Sequence, residues 1–149
     1  MLNDTLKITG AVSIKLLDKG GNVLETREIP NLVVSAGKTF IASSMLKTTT
    51  NTPTAMTHMA VGTSSTAPAA GDTALGAEAG RVTLASSTSS ANVVTYTATF
   101  PAGTGTGALV EAGIFNAASA GTLLCRTTFS VVNKGAADAM SITWTITVS

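Results

Sequence analysis

At the C-terminal end, Met140, Ile142, Trp144, Ile146 and Val148 alternate with Ser141, Thr143, Thr145, Thr147 and Ser149. A two-residue period sends one set to each face of an extended chain, which predicts a strand with one apolar face. The same period runs through residues 6–16, LKITGAVSIKL. Leu6, Ile8, Val12, Ile14 and Leu16 share one face there, and Lys7, Thr9, Ser13 and Lys15 the other. DKGGN (18–22) supplies turn residues and alternation resumes from Val23 to Ile29, so a hairpin is expected. Pro30 and Asn31 interrupt the pattern before Leu32. Proline lacks an amide proton, so Pro30 is expected at an edge, a bulge or a strand end.

One helix is predicted over AGKTFIASSML (36–46), with Ser35 as its cap and Phe40, Ile41, Ser44 and Met45 on one stripe. Gly37 weakens it. The polar stretch from Lys47 to Met56, continuing to 57, reads as a loop or extended arm. HMAVG (58–62) is a short strand, and TSSTAPAAGDTALGAEAG (63–80) a second long connection, with a helical turn near Ala74. Long connections in compact domains serve either as plain surface loops or as binding elements and lids.

Farther along, RVTLASS (81–87) and NVVTYTATF (92–100) flank a small polar turn, with Val94, Tyr96, Ala98 and Phe100 opposed to Thr95, Thr97 and Thr99. PAGTGTG (101–107) is a loop. ALVEAGIF (108–115) and TLLCRTTFSVV (122–132) form a further hairpin across NAASAG, and NKGAAD (133–138) turns the chain into its last strand. Repeated crossover helices are missing, so the pattern predicts an all-β fold. The expectation is an antiparallel β-sandwich or jelly-roll-like domain spanning 1–149, with one short helix and long connecting loops.

Composition sharpens this picture. Only 11% of residues are charged and 4% aromatic, against 44% hydrophobic. The apolar share is enough for a core, whereas the charge falls well below the ~25% of an ordinary soluble domain. Much of the polar surface is therefore hydroxyl. Threonine is burial-tolerant, since covering it avoids the desolvation cost of Lys or Glu. Such faces suit a subunit packed against neighbours, beside their simpler reading as β-propensity on a solvent face. The formal net charge is +1 without a basic run, which argues against direct nucleic-acid binding. No apolar run reaches membrane-spanning length, and MLNDTLKIT does not have a signal-peptide pattern, so assembly inside a cell is expected.

The chemistry-bearing residues are few. GTGTG (103–107) has no following Lys-Ser/Thr or helix, and AGKT (36–39) has only fragments of a phosphate loop. His58 is the sole histidine; a relay would need Asp72 or Asp138 beside it, and no G-x-S-x-G elbow occurs. Cys125, the single cysteine, alternates with Leu123, Thr127 and Phe129 as a small core residue would. Glu111 interrupts an apolar strand, and Arg126 on the adjoining strand is its expected partner, fixing a sheet or interface rather than catalysing. No catalytic, cofactor-binding or metal residues are assigned, and no cofactor is expected. Tyr96 and Trp144 are too few to furnish aromatic platforms for a sugar site.

The order NLVVSAGK (31–38), HMAVGTSSTAPAAGDTALGAEAGR (58–81), VTYTATFPAGTGTGALVEAGIFNA (94–117) and NKGAAD…ITWTITVS (133–149) resembles small virion structural proteins of tailed bacteriophages. That resemblance implies a cement or decoration subunit of the capsid shell, with the major capsid protein and copies of itself as partners. The alternative it implies is an adaptor bound to tail, collar or fibre proteins. Contact elements would then be the N-terminal segment, the 47–57 arm, the 63–80 connection and the 101–107 turn.

Overall fold

The computed structural model describes residues 4–46 and 52–149. Nine strands and one helix follow in the order β1 (Ile8–Leu17), β2 (Val23–Val33), α1 (Ser35–Ser44), β3 (His58–Gly62), β4 (Glu78–Thr83), β5 (Ser86–Ser90), β6 (Val93–Phe100), β7 (Gly107–Phe115), β8 (Leu123–Lys134) and β9 (Ala139–Val148). They form one antiparallel sheet in the order β4-β3-β7-β8-β2-β1-β9-β6-β5. The sheet curls into a sandwich-like arrangement of two halves. Strands β5, β6, β9 and β1 make one half, β4, β3, β7 and β8 the other, and β2 belongs to both.

The hinge between the halves explains the proline. Residues 23–31 of β2 pair with β1, and Leu32 and Val33 then pair with Arg126 and Cys125 of β8. Pro30 therefore does not interrupt the strand as its sequence suggested. It lies in β2 just before the partner changes, and its carbonyl accepts the Thr127 hydroxyl at 2.7 Å. A residue without an amide proton is tolerated where the ladder passes from one neighbour to the next.

Inside the curl, matched rows of side chains build the main core. Val12 faces Trp144, which faces Tyr96; Ile14, Ile142 and Ala98 form the next row, and Leu16, Met140 and Phe100 the third. All but Tyr96 are buried, and Tyr96 packs against them. Leu6, assigned to this face by alternation, instead precedes β1 and is 69% exposed.

The two ends of the core close differently. Helix α1 covers one end, where Phe40 and Ile41 approach Val94, Tyr96, Ile146 and Val148. Its N-cap is Val34, which makes no side-chain capping bond, and Ser35 is the first helical residue rather than the cap. Gly37 is what lets the helix sit down: a Cβ there would run into the Leu124 carbonyl. At the opposite end the Lys134 side chain is buried and donates to the Pro101 carbonyl at 2.9 Å, under the 101–106 turn. Burial pushes the Lys134 ammonium below its ordinary pKa, partly opposed by Asp138.

Two further expectations change. RVTLASS is not one strand: Arg81–Thr83 belong to β4 beside β3, whereas Ser86–Ser87 open β5 beside β6. Leu84 and Ala85 carry the chain between the two edges of the curled sheet. The 63–77 segment has no helical turn near Ala74; it bends instead and turns at Ala70–Gly71. Of the 47–57 arm, residues 47–51 lie outside the described residues. The rest is docked, with Met56 buried and the Thr57 amide bonded to the Phe115 carbonyl at 3.0 Å.

Candidate functional site

Strict alternation sends Glu111, Gly113 and Phe115 of β7 to the outer face of the second half, opposite Ala112 and Ile114 in the core. On β8 a bulge at Leu124 turns that residue into the core and leaves Leu123 outside beside Phe115. The exposed consequence of such a face would be a large apolar patch. The 63–77 segment covers it. Leu75 packs with Val34, Ala60, Phe115 and Leu123 in a second small core, outside the sheet.

A buried ionic cluster holds this strap. Glu111 is completely buried, and its Oε1 accepts the Ser64 and Ala77 amides at 3.1 and 2.8 Å. Its Oε2 accepts the Gly76 amide at 2.9 Å and the Arg126 Nε and Nη2 at 3.0 and 2.8 Å. Arg126, 2% exposed, donates in turn to Asp72 Oδ2 at 2.8 Å and to the Thr66 carbonyl at 2.9 Å. Asp72 also accepts the Ala69 amide at 2.9 Å. Two positions make room for these contacts: a Cβ at Gly62 would collide with the Ala77 carbonyl and Glu111, and one at Gly76 with Ser64.

Electrostatics follow from those partners. Burial raises the Glu111 pKa, but the Ala77 and Gly76 amides, the Arg126 guanidinium and the Ser64 amide outweigh it and hold the carboxyl below its ordinary value. Asp72 is lowered by the Ala69 amide and, against some burial, by Arg126. Both acids therefore stay ionised beside a permanent cation. A buried pair satisfied on every side positions backbone; it does not present a free acid or base to a substrate. The expected Glu111–Arg126 pair thus forms. Asp72 is its third member, a role that the sequence reading, which weighed Asp72 only as a partner of His58, did not find.

The other chemistry-bearing residues are separated. His58 opens β3, with Nδ1 2.8 Å from the Thr57 hydroxyl and Nε2 3.4 Å from that of Thr83. Asp72 is committed to Arg126, and Asp138 accepts the Gly135 amide at 2.8 Å. No Ser-His-Asp relay is assembled among the described residues. Cys125 is fully buried in the main core, and that burial pushes its thiol well above its ordinary pKa. Arg81 stacks 3.8 Å above the Phe115 ring, grips Glu78 with two bonds, and donates to the carbonyls of Ala117 and Ala120, pinning the 116–121 turn. The GTGTG segment is a turn in which Gly103 and Gly105 take φ of 80° and 58°. Among the described residues no cluster of three or more His, Cys, Asp or Glu is placed to hold a metal ion, and no helix is long and apolar enough to cross a membrane.

The remaining candidate surface is the outer face of the first half. Registered rows cross it from strand to strand: Ser86–Thr97–Thr143–Ser13, Thr88–Thr95–Thr145–Ala11, and Thr99–Ser141–Lys15. Thr95, Thr97, Thr143, Thr145 and Thr147 all retain partial exposure. Charge enters these rows only toward β1 and β2, at Lys15 and Glu28. One half of the sheet is thus clothed by a strapped loop and the other presents a nearly uncharged hydroxyl array.

These features define an all-β protein with a curled nine-stranded sheet, one face strapped and one open. No family model matches the chain, and comparison with curated proteins and with solved structures finds no match.

Proposed function

We propose that the chain is a structural subunit of a bacteriophage virion, bound to the assembled capsid shell as a cement or decoration protein. The phage particle comes from the sequence resemblance; the observation that supports a subunit packed against neighbours is the hydroxyl array on β6 and β9, continued by β5 and β1. A face of Thr and Ser costs less to dehydrate than a charged one when its hydroxyls find hydrogen-bond partners on the covering surface, and its pleated geometry is set before contact. The ionisable residues support the same reading. Glu111, Arg126, Asp72, Arg81 and Lys134 are committed to holding loops and the end of the core in place. A subunit present in many copies needs only modest patches of this kind, because multiple attachment raises the effective concentration.

The direct test is a cryo-electron-microscopy map of the intact particle, with this chain fitted. The expected result is density repeated over the shell, with the β6–β9 face against the major capsid protein. Density confined to the neck, tail or fibre base would overturn the cement role and put the chain among the adaptors.

A further inference from the structure

Helix α1 brings little stability of its own to its place over the end of the core. It has 10 residues, fewer than the about 12 at which an isolated helix becomes even marginal in water. Its cap, Val34, makes no side-chain bond to the first turn, and no acidic residue stands in that turn or basic residue in the last. Lys38 instead brings a positive charge near the positive end of the helix dipole. Gly37, which is buried, lowers the helix propensity further. What holds such a helix must come from its tertiary contacts.

At the N-terminal end of α1 those contacts come from the 63–77 strap. The Ser35 amide donates to the Ala70 carbonyl at 2.8 Å, so the strap's backbone takes up one of the free amides of the first turn. Leu75 packs with Val34, and Ala36 packs against the same small core. The strap is itself gathered by one ionic cluster. Glu111 binds both of its ends, at the Ser64 amide and at those of Gly76 and Ala77. Arg126 binds its middle, at the Thr66 carbonyl and Asp72. A loop whose two ends meet at one carboxylate is set to leave the sheet as a whole. We infer that the strap and α1 open as one unit, with Glu111, Arg126 and Asp72 as the latch and α1 as a lid over the end of the main core.

The other anchor of the helix is the core itself. Gly37 lies against the Leu124 carbonyl, and Phe40 and Ile41 close over Val94, Tyr96, Ile146 and Val148. Opening takes α1 off this apolar surface, and the latch sets how often the surface is bared. Coupling between the two elements is reciprocal, so a change that loosens α1 also loosens the strap. The unit does not depend on where in a particle the chain sits, so its test is separate from that of the cement role.

The experiment is native-state hydrogen exchange of the full-length chain at low denaturant concentrations, in wild type, Glu111→Ala and Ser35→Pro. Ser35 is the first helical residue, a position that accepts proline. Val34, with φ −74° and ψ 165°, already has the extended backbone that a following proline requires. Ser35→Pro thus removes the amide that Ala70 accepts and touches none of the latch residues. In wild type the α1 amides from Lys38 to Ser44 should share one protection level and one denaturant dependence with those of Ser64, Gly76 and Ala77. Glu111→Ala should speed exchange in both sets by the same factor, roughly tenfold or more, while β1 and β9 keep their protection. Ser35→Pro should also speed both sets, the strap's as well as the helix's. Glu111→Ala that frees the strap while α1 exchanges as in wild type would overturn the proposal. So would Ser35→Pro that leaves the strap amides at their wild-type rate, a result that stands even if Glu111→Ala does not fold.

Discussion

Replacing Glu111 with Ala should lower the stability of the protein by about 3–5 kcal/mol, the usual result of removing one partner from a buried ion pair. The substitution leaves Arg126, 2% exposed, with Asp72 as its remaining carboxylate, and it strips the acceptor from the Ser64, Gly76 and Ala77 amides. The chain can relieve this by releasing the 63–77 strap to water, which limits the cost to that of local opening. Hydrogen exchange distinguishes this loss from general unfolding. The amides of Ser64, Gly76 and Ala77 should lose protection first, while those of β1 and β9 keep theirs. Glu111→Gln retains the shape but removes the charge, and should fall between wild type and Ala. The same contacts set an acid limit. A carboxyl whose folded-state pKa lies below its unfolded value contributes its full stabilisation above the unfolded value and loses it as pH falls through the folded one. For Glu111 and Asp72 both shifts are downward, so stability should decline below the ordinary Glu111 value of 4.5. Chemical denaturation at stepped pH checks this, and Glu111→Ala should flatten that decline.

Trp144→Ala should cost a similar amount, about 3–5 kcal/mol, because it removes the largest side chain from the main core and leaves a cavity that strands cannot close. Trp144 is fully buried between Val12 on one neighbouring strand and Tyr96 on the other. For a chain of this size each kcal/mol moves the melting midpoint by roughly 2–4 °C, so a drop on the order of 10 °C is expected in calorimetry. The indole Nε1 has no hydrogen-bond partner among the described residues. What Trp144 contributes is therefore its packed area, and Trp144→Phe should lose much less than Ala. If Phe proved as damaging as Ala, the indole N–H would have a role that packing does not explain.

Both residues were readable from the chain, for different physical reasons. Trp144 lies in an uninterrupted alternation that the sheet reproduces residue for residue, since a central strand with one buried face has no freedom of register. Glu111 and Arg126 betrayed themselves as charges inside apolar strands. Asp72 gave no such signal: it belongs to a loop whose residues follow no period, and its value comes from a contact across 54 positions. The split between β4 and β5 was equally hidden. Between Arg81 and Ser90 the chain is Thr, Ser and Ala apart from Val82 and Leu84, so alternation does not mark the point where it leaves one sheet edge for the other. Pro30 misled because local propensity ignores which neighbour a strand residue faces. Ser35 looked like a cap, yet the preceding Val34 is held by a backbone bond to Leu124 and takes the capping position itself.

The hydroxyl face follows from the sequence as a pattern and from the fold as a surface. Thr95, Thr97 and Thr99 alone mark one strand as polar on one side; only the pairing of Thr95 with Thr145 and Thr97 with Thr143 turns two stripes into an array. Its separation from the strapped half is what makes a contact role testable without disturbing the fold. The decisive measurement is the copy number of Thr145→Lys in purified particles, with Ser119→Lys in the 116–121 turn, where Ser119 is exposed, as the matched control. Thr145→Lys should keep the wild-type melting midpoint yet be lost from particles, and Ser119→Lys should be incorporated normally. Incorporation of both at the wild-type level would contradict the proposal that the β6–β9 face is the surface by which this protein binds an assembly.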